Sequence, residues 1–257
     1  MSKALPTVFL SHGSPMHALE PGPVRGVWEN LGRTLPRPRA ILIASAHWET
    51  DSPALTAAAT PETIHDFYGF PKPLYEIQYP VKGSPELAFR SIGLLKQAGL
   101  TAKEDPIRGL DHGAWSPLLH MYPKADIPVV QLSLQTELGT RHHLALGRAL
   151  APLAAEGVLI LGSGHMTHNL RERRDGAPAV YVREFQDWVK QKIDARDFDA
   201  LADYRKLTTQ GVRAHPTDEH FLPLFVALGA AGPNYSANRI YAGIETGSLA
   251  MDAYLFN

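Results

Sequence analysis

The sequence predicts an α/β domain with a central, mostly parallel or mixed sheet flanked by helices. Three observations predict it. Short apolar runs end in small residues, as strands covered on both faces do. Runs with helical spacing of apolar residues lie between them. No repeat, low-complexity stretch or linker divides the 257 residues, so 1–257 reads as a single domain.

Taken in order, residues 7–10 form a first apolar strand, closed by Ser11-His12-Gly13-Ser14-Pro15, and residues 40–45 a second, closed by Ala46-His47-Trp48. Residues 60–83 are rich in Pro, Gly and aromatics without periodicity and predict a long ordered loop. Residues 85–98 carry Leu87, Ala88, Ile92, Leu94 and Leu95 at helical spacing. Residues 127–134 predict a third strand, 142–155 a helix, and 158–161 a fourth strand ending at Gly162-Ser163-Gly164. Residues 179–195 are amphipathic, with Val182, Phe185, Val189 and Ile193 on one stripe. Residues 217–228 predict a last helix, opened by a Thr-Asp-Glu cap signal after Pro216. Residues 239–254 predict further strand with a turn near Gly247.

Composition narrows the function. A formal net charge of -1, with no basic run, argues against nucleic acid or an anionic membrane as the main partner. No apolar run approaches the ~18 residues of a membrane span. The absence of cysteine excludes disulfides and thiolate metal sites and fits a cytoplasmic protein.

The 12 histidines carry the chemical signal. Ligand sites of open α/β sheets form beyond the carboxyl ends of strands. His12, His47 and His165 or His168 follow predicted strands, and a thiolate-free imidazole set suits non-haem iron or catalytic zinc. For each residue taken singly, a hydrogen-bonding loop histidine is the plainer alternative. His17, His120, His142 and His143 read as ordinary surface or helix residues, and His215 as a loop residue that could serve either a site or the loop itself. His220 and Glu219 are neighbours in the predicted last helix, and helical geometry does not choose which of them faces a site.

Six segments resemble the DOPA-type extradiol dioxygenases, of the class III family related to the catalytic subunit of protocatechuate 4,5-dioxygenase. They are Phe-Leu-Ser-His-Gly-Ser-Pro-Met (9–16), Ser-Ala-His-Trp (45–48), Thr-Ile-His-Asp-Phe-Tyr-Gly-Phe-Pro (63–71), Leu-Asp-His-Gly-Ala-Trp-Ser-Pro-Leu (110–118), Pro-Val-Val-Gln-Leu-Ser (128–133) and Pro-Thr-Asp-Glu-His-Phe-Leu-Pro-Leu (216–224). They span nearly the whole chain in the family's order. The resemblance implies a single catalytic domain holding one Fe(II) or Zn(II) per chain through His12, His47 and His220, with Glu219 the lesser option for the third ligand. It implies that His112 and His168 line the substrate pocket, His168 as acid/base. His65 and Tyr68 are candidate substrate-binding residues of the pocket wall, the alternative being a packed aromatic loop. The implied partners are a small aromatic diol such as DOPA, and O2, whose two atoms enter a ring-opened semialdehyde. A zinc hydrolase using the same histidines is the rival activity, and a non-enzymatic binding module the rival class.

Overall fold

The computed structural model describes residues 4–257. In chain order the strands are β1 (Thr7–Ser11), β2 (Ala40–Glu49), β3 (Ala54–Thr56), β4 (Lys103–Asp105), β5 (Val129–Leu134), β6 (Val158–Gly164), β7 (Ala237–Tyr241), β8 (Ile244–Glu245), β9 (Leu249–Ala250) and β10 (Ala253–Phe256). The helices are α1 (Arg25–Thr34), α2 (Lys72–Tyr75), α3 (Pro85–Gln97), α4 (His112–Met121), α5 (Gly139–Leu150), α6 (Pro152–Ala155), α7 (Val180–Asp194), α8 (Phe198–Ala202), α9 (Tyr204–Leu207), α10 (Gly211–Ala214) and α11 (Leu222–Ala231). Among the described residues no helix is long and apolar enough to cross a membrane.

Eight of the described strands form one sheet in the order β4-β3-β5-β2-β6-β1-β10-β7. The four central strands, β5, β2, β6 and β1, are parallel; β3 and β10 join them antiparallel on either side. The expected mixed, mostly parallel sheet is therefore present. β1, β5 and β6 are buried throughout, as their unbroken apolar character requires of strands covered on both faces. Alternation divides their side chains. Val8, Leu10, Ile41, Ile43, Leu159 and Leu161 face α1, α4 and the 60–83 loop, packing with Trp28, Trp115 and Tyr79. Leu42, Val130, Leu132, Val158 and Ile160 face α3, α5 and α11.

Element ends depart from the sequence reading in informative ways. β6 runs on through Gly164 and β2 through Glu49, because backbone pairing continues past the apolar run. The helix expected over 142–155 starts at Gly139 and is divided at Ala151, before Pro152. The last helix starts at Leu222, not Thr217. The Thr-Asp-Glu signal fails as a cap because the Asp218 carboxylate is taken by the Tyr204 hydroxyl (2.6 Å) and the Arg205 guanidinium. α1 and α4 went unread: α4 is buried nearly all round and carries Pro117, so no stripe marks it. Its start is set by Asp111, whose carboxylate accepts from Ala114 N–H at 3.2 Å.

Candidate metal centre

His12 directly follows β1, His47 lies near the end of β2, and His165 and His168 follow β6. These strands are parallel and in register, Ser11 beside Gly164 and Ser45 beside Ser163, so their carboxyl ends emerge together. A register irregularity between Ala44 and Glu49 spans His47. His220 arrives from the turn before α11, whose carbonyl accepts from His165 N–H at 2.7 Å. Only a glycine at 164 permits that approach, since a Cβ there would lie 2.2 Å from the His220 carbonyl oxygen. His112 opens α4 at the same end of the sheet.

One ligand atom from each of His12, His47 and His220 lies within 4.8 Å of the other two, and the Nε2 atoms of His12 and His47 are 3.0 Å apart. Glu219 falls outside this set. Its Oε1 accepts from His220 Nδ1–H at 2.8 Å and lies 4.0 Å from His168 Nδ1.

The partners behind the three rings assign their protons. The Ser163 hydroxyl donates to the Gly113 carbonyl, so its oxygen accepts from His12 Nδ1–H at 3.0 Å. His47 Nδ1 faces Asp66 Oδ2 at 3.5 Å, and His220 Nδ1 faces Glu219. With the proton on Nδ1 in each ring, Nε2 is a bare lone pair. Burial pushes His12 and His220 well below the usual imidazole range, and neighbouring imidazoles add to it. Burial and His112 likewise lower His47, against the pull of Asp66. The centre is thus a set of neutral imidazoles, two with lone pairs 3.0 Å apart and no hydrogen between them. That contact is repulsive on its own, and a shared cation makes it favourable. Two nitrogen ligands at ~2.1 Å from an ion can span it. Ligand histidines backed by carboxylates are a recurrent arrangement of metal sites. These residues therefore fit a divalent metal.

Beside them a cavity of about 200 Å³ is lined by His112, His165, His168, Phe70, Leu249 and Arg173, among others. An apolar cavity of ~150 Å³ accepts benzene, so this one has room for a single substituted ring. His112 is held by Asp66 twice, through its backbone N–H (2.8 Å) and Nδ1–H (2.9 Å). Burial raises the Asp66 pKa, but the hydrogen bonds it accepts from His112 outweigh it and hold the carboxylate at about 2. The His168 ring stacks on His220, centroids 3.4 Å apart. Burial, then the Arg173 charge, push its pKa down to about 4.

His65 and Tyr68 do not join this cavity. His65 Nε2–H donates to the Ile77 carbonyl at 3.0 Å and its ring packs on Phe67 and Trp115, while Tyr68 is 91% exposed. The loop contributes Phe70 to the cavity instead, and Asp66 behind His112. Asp66 was legible only as a member of the His-Asp-Phe-Tyr segment. His17 and His143, expected as ordinary surface or helix residues, are buried: His17 pairs with Glu245 (2.9 Å), and His143 Nδ1–H donates to Gly139 O (2.7 Å).

The profile of a family described as catalytic LigB subunit of aromatic ring-opening dioxygenase matches residues 6–248. The chain belongs to that family. Two relatives named 4,5-DOPA dioxygenase extradiol extend the match. The one from Beta vulgaris is 43% identical over 260 residues, covering 97% of this chain and 96% of its own. The one from Escherichia coli K12 is 42% identical over 256 residues, covering 97% and 94%. A crystal structure of an uncharacterized Escherichia coli K12 protein aligns with a TM-score of 0.84 at 37% identity, over 98% of this chain and 100% of that one. This LigB-family chain is an extradiol ring-cleaving dioxygenase, and the family's use of a divalent metal agrees with the buried imidazole cluster.

Proposed function

We propose that the protein opens the ring of a single-ring catechol such as DOPA, with one Fe(II) per chain held by His12, His47 and His220. The observation that carries this reading is the trio of neutral imidazoles, His12 and His220 buried and His47 half-buried, each with a partner facing Nδ1, beside a cavity of one-ring size. Iron(II) bound there supplies a meeting point for the diol and O2, so that both oxygen atoms enter the semialdehyde.

The remaining steps fall to side chains. His168, kept neutral by burial, takes a proton from a catechol hydroxyl as the diol binds and returns it to the departing oxygen. His112, its Nδ1–H fixed on Asp66, presents Nε2 as the partner of the diol or of incoming oxygen. Phe70 and Leu249 cover the ring and exclude water. An all-imidazole set also suits zinc; the test therefore compares both metals.

Metal-free protein is loaded without air with Fe(II) or Zn(II), then given DOPA and oxygen. The iron form consumes one O2 per yellow product, and the zinc form none. His12→Ala loses most bound metal, and His168→Ala keeps metal and catechol binding but loses ring opening. Full metal occupancy in His12→Ala, or near-normal turnover by His168→Ala, refutes the corresponding role.

A further inference from the structure

The loop after β6 carries Arg171, Glu172, Arg173 and Arg174 in a row, and its neighbours pin it on both sides of residue 173. Glu172 accepts two bonds from the Arg213 guanidinium, at 2.8 and 2.7 Å. Asn169 Oδ1 accepts from Arg171 N–H at 3.2 Å, and its amide donates to Arg213 O at 2.8 Å. Arg174 N–H donates to Thr246 O at 2.9 Å, and the Arg174 side chain lies against Gly247. Glu172, the carboxylate next in sequence, is therefore spent on Arg213. Among the described residues the Arg173 side chain makes no hydrogen bond or ion pair, yet it lines the histidine cavity from its exposed rim.

The rest of that cavity tells what this cation meets. Its deep wall is imidazole, with Asp66 and Glu219 already bonded to His112 and His220. Pro15, Phe70, Leu170 and Leu249 make its apolar wall. A catechol whose hydroxyls faced His12, His47 and His220 would lay its ring against the apolar wall and direct its side chain to the rim. We infer that Arg173 is the specificity-determining residue of this cavity, its guanidinium receiving the carboxylate of a catechol's side chain so that catechols carrying such a carboxylate, with or without an amine beside it, are chosen over those that lack one. This rests on the ring-cleavage reading above. A guanidinium fits a carboxylate through two parallel N–H bonds, and anchored flanking backbone lowers the ordering cost of forming them. Exposure at the rim leaves the pair open to screening by salt.

The test uses the full-length iron(II)-loaded enzyme with 3,4-dihydroxyphenylpropionate and dopamine, which share a ring and differ in side-chain charge. Calorimetric titration without air gives each Kd; oxygen uptake gives kcat and KM. The acidic catechol is expected to bind about tenfold tighter, a 1.4 kcal/mol difference. Arg173→Gln collapses that ratio toward one, the loss falling on KM rather than kcat. Arg173→Lys restores part of it, and Arg171→Gln, on the same loop but outside the cavity, keeps it. Added salt shrinks the wild-type ratio. A ratio that survives Arg173→Gln, or equal loss of affinity for both catechols, overturns the assignment while leaving ring cleavage standing. Failure of the wild type to bind or cleave either catechol instead removes the ring-cleavage reading, and this inference with it.

Discussion

Asp66 accepts from His112 through both carboxylate oxygens and faces His47 Nδ1 with the same Oδ2, so one side chain orients a pocket histidine and a candidate ligand together. Asn in its place has only one acceptor oxygen and must aim its amide N–H either at a ring N–H or at the His112 backbone N–H. Loss of such a carboxylate behind a ligand histidine costs ~10–100-fold in metal affinity. Asp66→Asn is therefore expected to weaken Fe(II) binding by about that factor, read by competition with a chelator; affinity within twofold of wild type would show that Asp66 does not orient His47. At this scale the sequence was most informative about His12, His47 and His112, because their motifs mark them one by one. It was least informative about Glu219 against His220, since adjacent residues share every sequence feature. Only the bond from His220 Nδ1 to Glu219 shows the carboxylate standing behind the ring.

α5 and α11 meet backbone to backbone through two glycines. A Cβ at Gly147 would lie 2.2 Å from Val226 O, and one at Gly229 2.3 Å from Leu144 O. Gly147→Ala must push the helices apart, an overpacking cost of roughly 1–3 kcal/mol, or about 2–10 °C in Tm for a domain of this size. α11 begins two residues after His220, so the same substitution is expected to lower metal affinity as well as Tm. A scanning-calorimetry Tm equal to wild type would mean the helices separate at no cost. Strands β1, β2, β5 and β6 were readable because unbroken apolar runs have few alternatives to burial on both faces. α11 was misplaced by five residues at its start because it is apolar on every side and its apparent cap, Asp218, serves Tyr204 and Arg205.

Across the whole molecule, burial of neutral histidines ties stability to pH. Away from the centre, burial lowers His143 to about 4 and His215 to about 3. In the unfolded chain both protonate near 6.5. Their contribution to stability is therefore complete above 6.5 and is lost as pH falls toward 4 and 3, on the order of 1 kcal/mol per pH unit per group. Asp252 runs the other way: burial raises it to about 6 despite Arg239, so its contribution is present below about 4 and lost as pH rises through 6. The two histidines outweigh the one carboxylate, the lowered histidines of the centre act in the same direction when no metal holds them, and metal-free protein is expected to lose stability in urea between pH 6.5 and 4.5. His143→Gln should flatten that slope by about one proton; an unaltered slope would mean His143 does not stay neutral when folded.

The chain by itself determined the class of fold, the positions of the central strands and the set of histidines from which a metal site could be drawn, because burial periodicity and residue chemistry are local properties. Tertiary structure decided which of those histidines converge, which ring nitrogen each presents and how wide the adjoining cavity is. Those outcomes depend on the parallel register of β1, β6 and β2, on a turn more than 160 positions beyond β2, on hydrogen bonds to Ser163 and Glu219, and on the Asp66 carboxylate facing His47. None of these is a property of any segment taken alone.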